Sequence, residues 1–492
     1  MLKRIFRHEF LRLIPFWGIG LLAAACSVKA SASAENSQDA LRRVTLLHTN
    51  DEHGWLTPED DSGGATGIFS RWRKEEALDR DPNLLVVSSG DLWTGRALST
   101  CFAGESTIDV MNAMGYRAAA IGNHEFDNGV DVLRLRAAQA NFPFLSANIK
   151  DKGTGAVPDF AQPYVIMPVN GVKVALVGLT TLDTPRDVRP EHVSPFDFMP
   201  YDDTLRQIIP RVKAEGANVI VVLGHVASAE LRALAPTARE LGIEILLGGH
   251  THEETLETVE EVLLVQSSYF MRGYTRIDMV FDLELDRIVD MRPAFNRNEL
   301  GLEDRELKDR VQAWRSRSDK TLWQKMGYSG RKISRRSDEM GNLLGKSWLA
   351  AYPPAQVALA SYRYIQALLP GDLSPASILG MLPEDVELLD LTISGKALLD
   401  IIKSKQPVYW GIRIEENARF ADGTVVEPDQ NYHLVVPDLL FLGCDGYPLA
   451  QAAQEVKETG LDWRKSVEDW IARQHTSRWS PLEKLLTNKN IS

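Results

Sequence analysis

Short apolar runs alternate with helical patterns through the first half of the chain, and this alternation constrains the fold more than any other feature. The strand-like runs are Val44–Leu47, Leu84–Val87, Ala118–Ile121, Phe144–Ala147, Val174–Val177, Val219–Leu223 and Ile243–Leu247. Amphipathic stretches such as Gly67–Ala77 and Val130–Ala140 separate several of them. The alternation predicts an α/β domain in which helices are layered on sheets. The dipeptide Asn170-Gly171, a strong hairpin signal, predicts mixed rather than purely parallel sheets.

The pattern changes near residue 296. Residues 301–325 are highly charged and carry spaced apolar residues, which predicts a solvent-exposed connecting helix. A second apolar-rich block follows, from about residue 340 to residue 450. The elements expected within it are helices near 341–352 and 395–404 and strands near 386–393 and 432–436. We therefore expect two α/β domains that are joined by a charged helix.

Composition and charge exclude several classes of protein. Hydrophobic residues make up 44% of the chain and charged residues 25%, which is typical of globular proteins and excludes a disordered or multi-span membrane chain. A net charge of -12 argues against binding to a nucleic acid polymer, because neutralisation of phosphates by Lys and Arg supplies most of that affinity. A nucleotide-sized ligand stays possible, since a metal ion or a few arginines hold one locally. Three cysteines exclude a disulfide-dense scaffold.

The amino terminus has the pattern of an export signal. Four basic side chains come before the apolar run Leu13–Ala25. The 13 residues of this run are too few to span a bilayer of about 30 Å. Leu22–Cys26 resembles a bacterial lipobox, in which Cys26 becomes the lipid-modified first residue. The alternative is ordinary cleavage after Ala32–Ala34. We expect an exported protein, periplasmic or at the cell surface, with a lipid anchor at Cys26 and a flexible tether over residues 27–40.

Reactive side chains cluster directly after five of the predicted strands. The clusters are His48–Gly54, Ser88–Asp91, Gly122–Asp127, Gly224-His225 and Gly248–His252. Six of the ten histidines lie within them. A single histidine after a strand is more often structural, but five clusters at strand ends are hard to explain in that way. Because open α/β sheets carry their sites at the carboxyl ends of strands, we expect the clusters to meet in one site.

Imidazole, carboxylate and amide groups in one site indicate divalent metal ions such as Zn, Mn, Fe or Co. Two ions about 3.5–4 Å apart need one bridging carboxylate and further ligands on each side. We predict two such ions. The ligands expected are Asp51, His53 and His252 for one ion, Asn123, His225 and His250 for the other, and Asp91 as the bridge. Glycines 54, 90, 122, 224 and 249 are expected to let the backbone turn sharply there.

The clusters resemble the 5'-nucleotidase / UDP-sugar hydrolase family of calcineurin-like metallophosphoesterases. The strings that carry the resemblance are HTNDEHG, SSGDLWTG, AIGNHEFDNG and LGGHTH. The resemblance implies a four-layer αββα sandwich metallophosphoesterase domain, a linker helix and a smaller α/β C-terminal substrate domain. The boundaries expected are 1–40 for signal and tether, 41–296 for the first domain, 297–325 for the linker helix and 326–492 for the substrate domain.

The same resemblance implies the chemistry. The family's ligand set falls on the seven residues already named, and its catalytic pair falls on His124 and Asp127. The implied mechanism is in-line attack on phosphorus by a metal-activated water. His124, oriented by Asp127, would then stabilise a phosphoryl oxygen or protonate the leaving alkoxide. The alternative for Asp127 is an N-cap of the helix before Val130.

The second domain matches the family's substrate residues only in part. The resemblance assigns substrate binding to Arg336, Arg363 and Asp445, although Arg336 is equally one of several surface charges in its segment. The two aromatic residues with which nucleotidases sandwich the base correspond here to Glu384 and Leu439. The residues able to replace that stacking are Tyr409, Trp410 and Phe441. Loss of the clamp would remove about 1–3 kcal/mol of stacking per base.

Three functions are compatible with these features. The first is release of phosphate from nucleoside 5'-monophosphates or related nucleotides. The second is a related metallohydrolase that acts on a cyclic nucleotide, another phosphomonoester or a sulfur species, because Arg363–Asp372 and GDLWTG faintly resemble thiosulfohydrolases. Against the sulfur substrate, Asn123-His124-Glu125 has the nucleotidase form. The third is a non-catalytic surface binding protein, against which the complete ligand set argues.

We expect Cys26→Ser to release the protein from a bacterial membrane in soluble form. Buried acyl chains stabilise membrane attachment by about 0.8 kcal/mol per CH₂, and the variant has no thiol to carry them. Fractionation of cells into membrane and soluble material, followed by immunoblotting, measures the change. Wild-type protein that begins at Glu35 and is recovered free in the periplasm or medium would contradict the anchor and favour cleavage after Ala34.

Overall fold

The computed structural model describes residues 40–414, 417–420 and 422–487. The predicted export signal, the lipobox with Cys26 and nearly all of the predicted tether lie outside these residues. Among the described residues, no helix is long and apolar enough to cross a membrane.

Two six-stranded sheets form the N-terminal domain. In spatial order, sheet I contains Arg287–Arg297, Gly273–Asp282, Leu41–Thr49, Leu84–Ser88, Tyr116–Ala120 and Phe144–Leu145. Sheet II contains Glu254–Val259, Val262–Ser267, Ile245–Leu247, Val219–His225, Val172–Thr180 and Tyr164–Val169. In sheet II the inner strands pair in parallel and both outer pairs are antiparallel. In sheet I the four strands from Leu41–Thr49 to Phe144–Leu145 pair in parallel, and Gly273–Asp282 is antiparallel to both of its neighbours. Each of the seven predicted strands is therefore present, and the sheets are mixed as expected.

The Asn170-Gly171 dipeptide joins Tyr164–Val169 to Val172–Thr180 as a tight antiparallel hairpin. Both turn residues have positive φ, 50° at Asn170 and 80° at Gly171. This conformation matches the right-handed twist of the flanking strands, which confirms the predicted hairpin.

Alternating side chains along each strand divide the domain into four layers. Leu46 packs in the apolar core between the sheets, whereas Leu47 faces the helices outside sheet I. In sheet II, Val221 faces the inter-sheet core and Val222 faces outward. The principal covering helices are Gly64–Lys74, Glu105–Met114 and Val130–Gln139 over sheet I, and Tyr201–Ala214 and Ser228–Glu240 over sheet II. A strand that is buried on both faces is apolar at consecutive positions, as these strands are, and the αββα sandwich that the family resemblance implied is present.

The charged connection contains a shorter and more buried helix than expected. The helix runs from Arg305 to Arg317, and the Asp304 side chain caps it by accepting a hydrogen bond from the Leu307 amide at 3.0 Å. Leu307 and Val311 are buried in the core of the N-terminal domain. The prediction of a solvent-exposed helix over 301–325 was therefore wrong for this face, because spaced apolar residues on a charged helix form a stripe that packs against the first domain.

A separate apolar core defines the C-terminal domain. Its sheet, sheet III, has the spatial order Val408–Trp410, Val357–Ala360, Asn431–Pro437, Glu387–Ser394 and Ala453–Asp462. Its longer helices are Asp338–Ala351, Gly395–Lys405 and Trp463–Gln474. Both predicted helices and both predicted strands of this block are present. A core of its own is the mark of a second domain, so the two-domain α/β architecture is confirmed.

Shorter elements connect these units. The short helices are Ala97–Thr100, Thr184–Asp187, Pro190–Val193, Pro375–Met381, Asp438–Phe441, Leu449–Ala452 and Glu483–Leu486. Single 3₁₀ turns span His124–Phe126, Lys320–Trp323, Tyr362–Tyr364 and Cys444–Gly446. The two-stranded pairs are Ile149–Asp151 with Phe196–Phe198, Gly327–Ser329 with Gly371–Leu373, and Ile412–Ile414 with Ala418–Phe420.

Ion pairs between the domains converge on residues 187–189 of the N-terminal domain. Asp187 is paired with Arg363, and Arg189 lies 3.0 Å from an oxygen of Asp438. Cys444 donates a weak hydrogen bond to the Val188 carbonyl. These contacts bring the C-terminal domain against the edge of the N-terminal domain at which the predicted ligands lie.

Candidate active site

The seven predicted metal ligands lie together at the carboxyl ends of strands in both sheets of the N-terminal domain. Asp51 and His53 follow Leu41–Thr49, Asp91 follows Leu84–Ser88, Asn123 follows Tyr116–Ala120, His225 ends Val219–His225, and His250 and His252 follow Ile245–Leu247. Parallel neighbouring strands end at the same edge, which brings residues from distant parts of the chain to one place. The predicted clusters are thus one site.

Asp51, His53 and His252 form the first group. The Nε2 atom of His252 lies 3.3 Å from Oδ1 of Asp51, and the Nε2 atoms of the two histidines are 3.2 Å apart. Asp51 and His53 are fully buried. Their donor atoms all lie within 4.8 Å of one another, which is close enough to coordinate one ion.

Asp91, His225 and His250 form the second group. Oδ2 of Asp91 lies 3.0 Å from Nε2 of His225 and 3.8 Å from Nε2 of His53. Asp91 therefore adjoins both groups, which is the place predicted for a bridging carboxylate. Oδ1 of Asn123 is buried with no hydrogen-bond partner among the described residues. A buried acceptor without a donor is costly, so this amide oxygen and the surrounding nitrogen and carboxylate donors fit divalent cations.

Backbone carbonyls orient two of the histidines. Nδ1 of His53 donates to the Thr94 carbonyl at 2.7 Å, and Nδ1 of His225 donates to the Ser89 carbonyl at 2.8 Å. A carbonyl only accepts, so the proton in each neutral ring is on Nδ1 and the Nε2 lone pair faces the site. Contacts of this kind commonly orient metal-binding histidines.

Most of the ligands have left-handed backbone conformations. The ligands with positive φ are Asp51, His53, Asp91, His250 and His252, with values from 47° to 77°. Non-glycine residues rarely adopt this region, and such strain concentrates at functional sites. The sequence analysis assigned the sharp turns to glycines, but the ligands themselves make many of them.

Two of the cluster glycines provide space rather than a turn. A Cβ atom on Gly122 would lie 2.1 Å from Oδ1 of Asp91, and one on Gly249 would lie 2.9 Å from Oδ2 of Asp51. Neither glycine has positive φ. The backbone approaches the two carboxylates so closely that any side chain at these positions would displace them.

Glu125 fixes the loops around Asp91, a role that the sequence analysis did not identify. Its buried carboxylate accepts hydrogen bonds from the amides of Asp91 at 2.9 Å, Leu92 at 2.8 Å and Gly122 at 2.6 Å. One side chain thereby ties together the ends of two neighbouring strands. Its place between His124 and Phe126 in the NHEFD string was the only available signal.

His124 and Asp127 form the predicted pair. Nδ1 of His124 lies 2.6 Å from Oδ2 of Asp127, and the His124 amide donates to Oδ1 of Asp91 at 3.0 Å. Burial lowers the pKa of His124, but the charges of Asp127 and Asp91 outweigh it and hold the pKa well above its ordinary value. The following helix has Gly129 as its N-cap residue, so Asp127 orients the histidine rather than capping that helix.

Glu384 of the C-terminal domain lies beside this pair. Its Oε1 is 3.9 Å from Nδ1 of His124, and the side chain is 11% exposed. Burial, with the charge of Asp127 adding to it, raises the pKa of Glu384 to about 8. The sequence analysis noted Glu384 as the loss of an aromatic residue and did not foresee this contact.

The residues predicted to bind substrate gather around Tyr362–Tyr364. Arg336 lies over the Tyr362 ring at 5.7 Å, and Asp445 accepts a hydrogen bond from the Ser361 hydroxyl at 2.6 Å. Arg363 lies 4.0 Å from Asp445 and is also paired with Asp187, which is itself 3.8 Å from Nε2 of His250. The three predicted residues thus lie around the same turn, and Arg363 approaches the second ligand group through Asp187.

Arg335 joins this basic group, and the sequence analysis missed it. Burial, together with the charges of Arg336 and Arg363, lowers the pKa of Arg335, although its guanidinium stays charged. Tyr269, whose ring stacks on His252 at 4.9 Å, partly offsets that effect. Adjacent arginines in a sequence do not reveal which of them faces a site.

Comparisons with known proteins agree with this geometry. Residues 44–254 match the calcineurin-like phosphoesterase family, and residues 320–452 match the C-terminal domain of 5'-nucleotidases. A 5'-nucleotidase of Vibrio parahaemolyticus is 25% identical over 92% of this chain and 93% of its own length. Protein UshA of Escherichia coli is 32% identical, but over only 49% of this chain and 46% of its own.

Two solved structures share the fold. A 5'-nucleotidase precursor of Thermus thermophilus is 22% identical with a TM-score of 0.77, covering 89% of this chain and 97% of its own. The sulfate thiohydrolase SoxB of Thermus thermophilus is 17% identical with a TM-score of 0.72, covering 88% and 94%. At these identities the likeness concerns the fold alone.

The αββα sandwich with its histidine and carboxylate clusters defines a calcineurin-like metallophosphoesterase. The chain belongs to the 5'-nucleotidase family of these proteins. Membership indicates a hydrolase of phosphoric ester bonds.

We expect His250→Ala to lose bound metal and His124→Ala to retain it. Both histidines lie near other possible ligand atoms, but His250 belongs to the predicted ligand set, whereas Nδ1 of His124 is held by Asp127. His124→Ala should still slow turnover by about 10²–10⁴-fold, the range typical of losing a general acid. Metal analysis of the purified variants and a phosphate-release assay measure the two effects. Equal loss of metal in both variants would contradict the division between ligand and catalyst.

Proposed function

We propose that the chain is an exported phosphohydrolase that binds two divalent metal ions and releases phosphate from nucleoside 5'-monophosphates or related nucleotides. The observation that carries the proposal is the convergence of both ligand groups on Asp91, next to the His124–Asp127 pair. The pattern of the amino terminus supports export.

The residues that would hold the ions are Asp51, His53, Asp91, Asn123, His225, His250 and His252. When bound, the ions lower the pKa of a water and neutralise charge on the phosphoryl oxygens. Asp127 accepts a hydrogen bond from Nδ1 of His124, which orients the ring and stabilises its cationic form. Nε2 of His124 is then the atom that donates to a phosphoryl oxygen or to the leaving alkoxide.

The basic residues of the C-terminal domain would hold the rest of the substrate. Arg335, Arg336 and Arg363 concentrate positive charge beside the site, which attracts an anionic ester. Arg363 is already paired with Asp187, so an incoming anion would compete with that carboxylate. Asp445, held by Ser361, offers an acceptor for a sugar hydroxyl.

No aromatic sandwich for a base is found at the expected positions. Leu439 is 3% exposed in the core of the C-terminal domain, and Glu384 lies against His124. Trp410 lines a groove with Phe420 and Tyr432, and none of the predicted site residues lines that groove. Contacts to the base would therefore contribute little to selectivity.

This missing sandwich supports a second candidate, a related metallohydrolase whose substrate carries no base. The candidate substrates are a simple phosphomonoester or a sulfur species. The fold likeness to SoxB is compatible with it but carries no weight for the substrate. The NHE form of the His124 segment favours a phosphoester.

We expect purified protein to release phosphate from a nucleotide in the presence of Mn, Zn or Co, and a chelator to abolish the release. Asp91→Asn should remove most of the activity, because a neutral amide is a poor bridge between two dications. A colorimetric phosphate screen over nucleotides, cyclic nucleotides, sugar phosphates and aryl phosphates measures it, with thiosulfate-type substrates assayed separately. Active protein with fewer than one metal ion per chain would contradict the two-ion site.

We expect adenosine, guanosine and uridine 5'-monophosphates to differ by less than about tenfold in kcat/KM, which is about 1.4 kcal/mol. Without a stacking clamp, transition-state binding differs little between bases. Aryl phosphates should be competitive with them, and Trp410→Ala should leave the ratios unchanged. Steady-state kinetics over this panel is the measurement. A preference above roughly a hundredfold for one base that disappears in Trp410→Ala would show that the clamp is rebuilt elsewhere.

A further inference from the structure

We propose that Tyr269 is a positioning residue whose ring holds the predicted ligand His252 by stacking, and that this contact sets how tightly the first ligand group binds its metal ion. The inference rests on the two-ion site of the proposed function and adds a residue outside the seven predicted ligands. Ring packing within the N-terminal domain, and not the protonation of any group, carries the effect.

Sheet topology brings Tyr269 to the ligands. Tyr269 follows the strand Val262–Ser267, which pairs in parallel with Ile245–Leu247, the strand that precedes His250 and His252. Parallel neighbours end at the same edge of a sheet. The tyrosine therefore arrives at the edge that carries the predicted ligands.

The rings of Tyr269 and His252 stack. Their centroids are 4.9 Å apart and their planes differ by 12°. The side chain of His252 is 19% exposed, compared with 2% for His53, so the rest of the protein restrains it less. Nδ1 of His53 bonds to a backbone carbonyl, but no hydrogen bond to Nδ1 of His252 is found among the described residues. A stacked ring hinders rotation of the imidazole, so Tyr269 orients a ligand that no carbonyl orients.

The segment that carries Tyr269, Ser267–Met271, is tied to the loop that carries Asp51. Nδ2 of Asn50 donates to the Ser268 carbonyl at 2.6 Å, and Oδ1 of the same side chain accepts from the first amide of the segment at 2.6 Å. The Phe270 amide donates to the Asp51 carbonyl at 2.7 Å. These bonds fix the backbone of the tyrosine relative to a second ligand of the same ion.

The backbone of this segment is strained. Three of its residues, Ser268, Phe270 and Met271, have positive φ, with values from 55° to 72°. Non-glycine residues keep such conformations only where their surroundings hold them, and they concentrate at functional sites. The strain is consistent with a segment whose place is set by the ligands it supports.

Arg272 holds the outer end of the Tyr269 side chain. Nη1 of Arg272 donates to the Tyr269 hydroxyl at 2.7 Å, and its guanidinium carbon lies 4.7 Å from the ring centroid. Asp60 and Asp61 in turn lie 3.1 Å and 2.8 Å from Nη2 of Arg272. The tyrosine ring is thus fixed at its hydroxyl as well as at its backbone, and it can act as a rigid support for His252.

The test is titration of chelator-treated protein with Mn²⁺, in which electron paramagnetic resonance measures the free ion. We expect the wild type to bind two ions per chain. Tyr269→Leu removes the ring and should raise the Kd of one ion by about tenfold, the effect typical of losing a residue that orients a metal ligand. The Kd of the other ion should stay within about twofold. Tyr269→Phe keeps the ring and should leave both constants within about twofold.

Two controls separate this role from a merely structural one. In the His252→Ala background, Tyr269→Leu should change the remaining binding by less than about twofold, because no imidazole is left to orient. Tyr164→Leu is the matched control, since Tyr164 is another half-buried tyrosine whose hydroxyl bonds to Glu215 at 2.6 Å, at the edge of sheet II. It should leave both constants within about twofold. Circular dichroism of each variant checks its fold.

Each outcome decides the inference. Unchanged constants in Tyr269→Leu, or an equal rise in Tyr269→Phe, would overturn it and leave the proposed function intact. The same holds for an equal rise for both ions, or for a rise that persists in the His252→Ala background, because the effect would then not pass through His252. Failure of Tyr269→Leu to fold while Tyr269→Phe folds would assign the ring to domain stability and also overturn it. Wild-type protein that binds fewer than two Mn²⁺ ions would instead overturn the two-ion site, and this inference with it.

Discussion

The site depends on the burial of Asp91 among groups from both sheets. Its amide is held by Glu125, Oδ1 accepts from the His124 amide, and Oδ2 faces His225 from sheet II. An isolated buried carboxylate costs several kcal/mol, so this one needs cationic partners and hydrogen bonds. The close approach of Gly122 leaves no room for it to move. This one carboxylate thus contacts both predicted ligand groups and the predicted His124–Asp127 pair.

The C-terminal domain brings ionisable side chains to two sides of the site. Arg363 pairs with Asp187 near His250, and Glu384 reaches His124. One contact is made by an arginine and the other by a carboxyl group, and they meet different parts of the N-terminal domain. The relative position of the domains therefore affects the surroundings of both His250 and His124, although all seven predicted ligands belong to the first domain.

The two parts of the site lie in different domains. This explains why the ligand clusters of the N-terminal domain match the family more completely than the substrate residues of the C-terminal domain do. The ligand clusters form at strand ends, where spacing, glycines and left-handed backbone leave few alternatives. Glu384 and Leu439, where the resemblance predicts aromatic residues, lie in a second domain with its own core, and neither belongs to the predicted ligand set. Substrate preference can therefore change while the reaction is retained.

Four features could be predicted from the local sequence pattern: the mixed α/β sheets, the hairpin at Asn170-Gly171, the ligand clusters after the strands and the His124–Asp127 spacing. Each of them depends on periodicity or on neighbours within a few residues. Tertiary structure alone decided the remaining features. The burial of one face of Arg305–Arg317 depends on the surface it meets, and the contact of Glu384 with His124 depends on how two domains dock. Such contacts join residues far apart in the chain, and no local propensity records them.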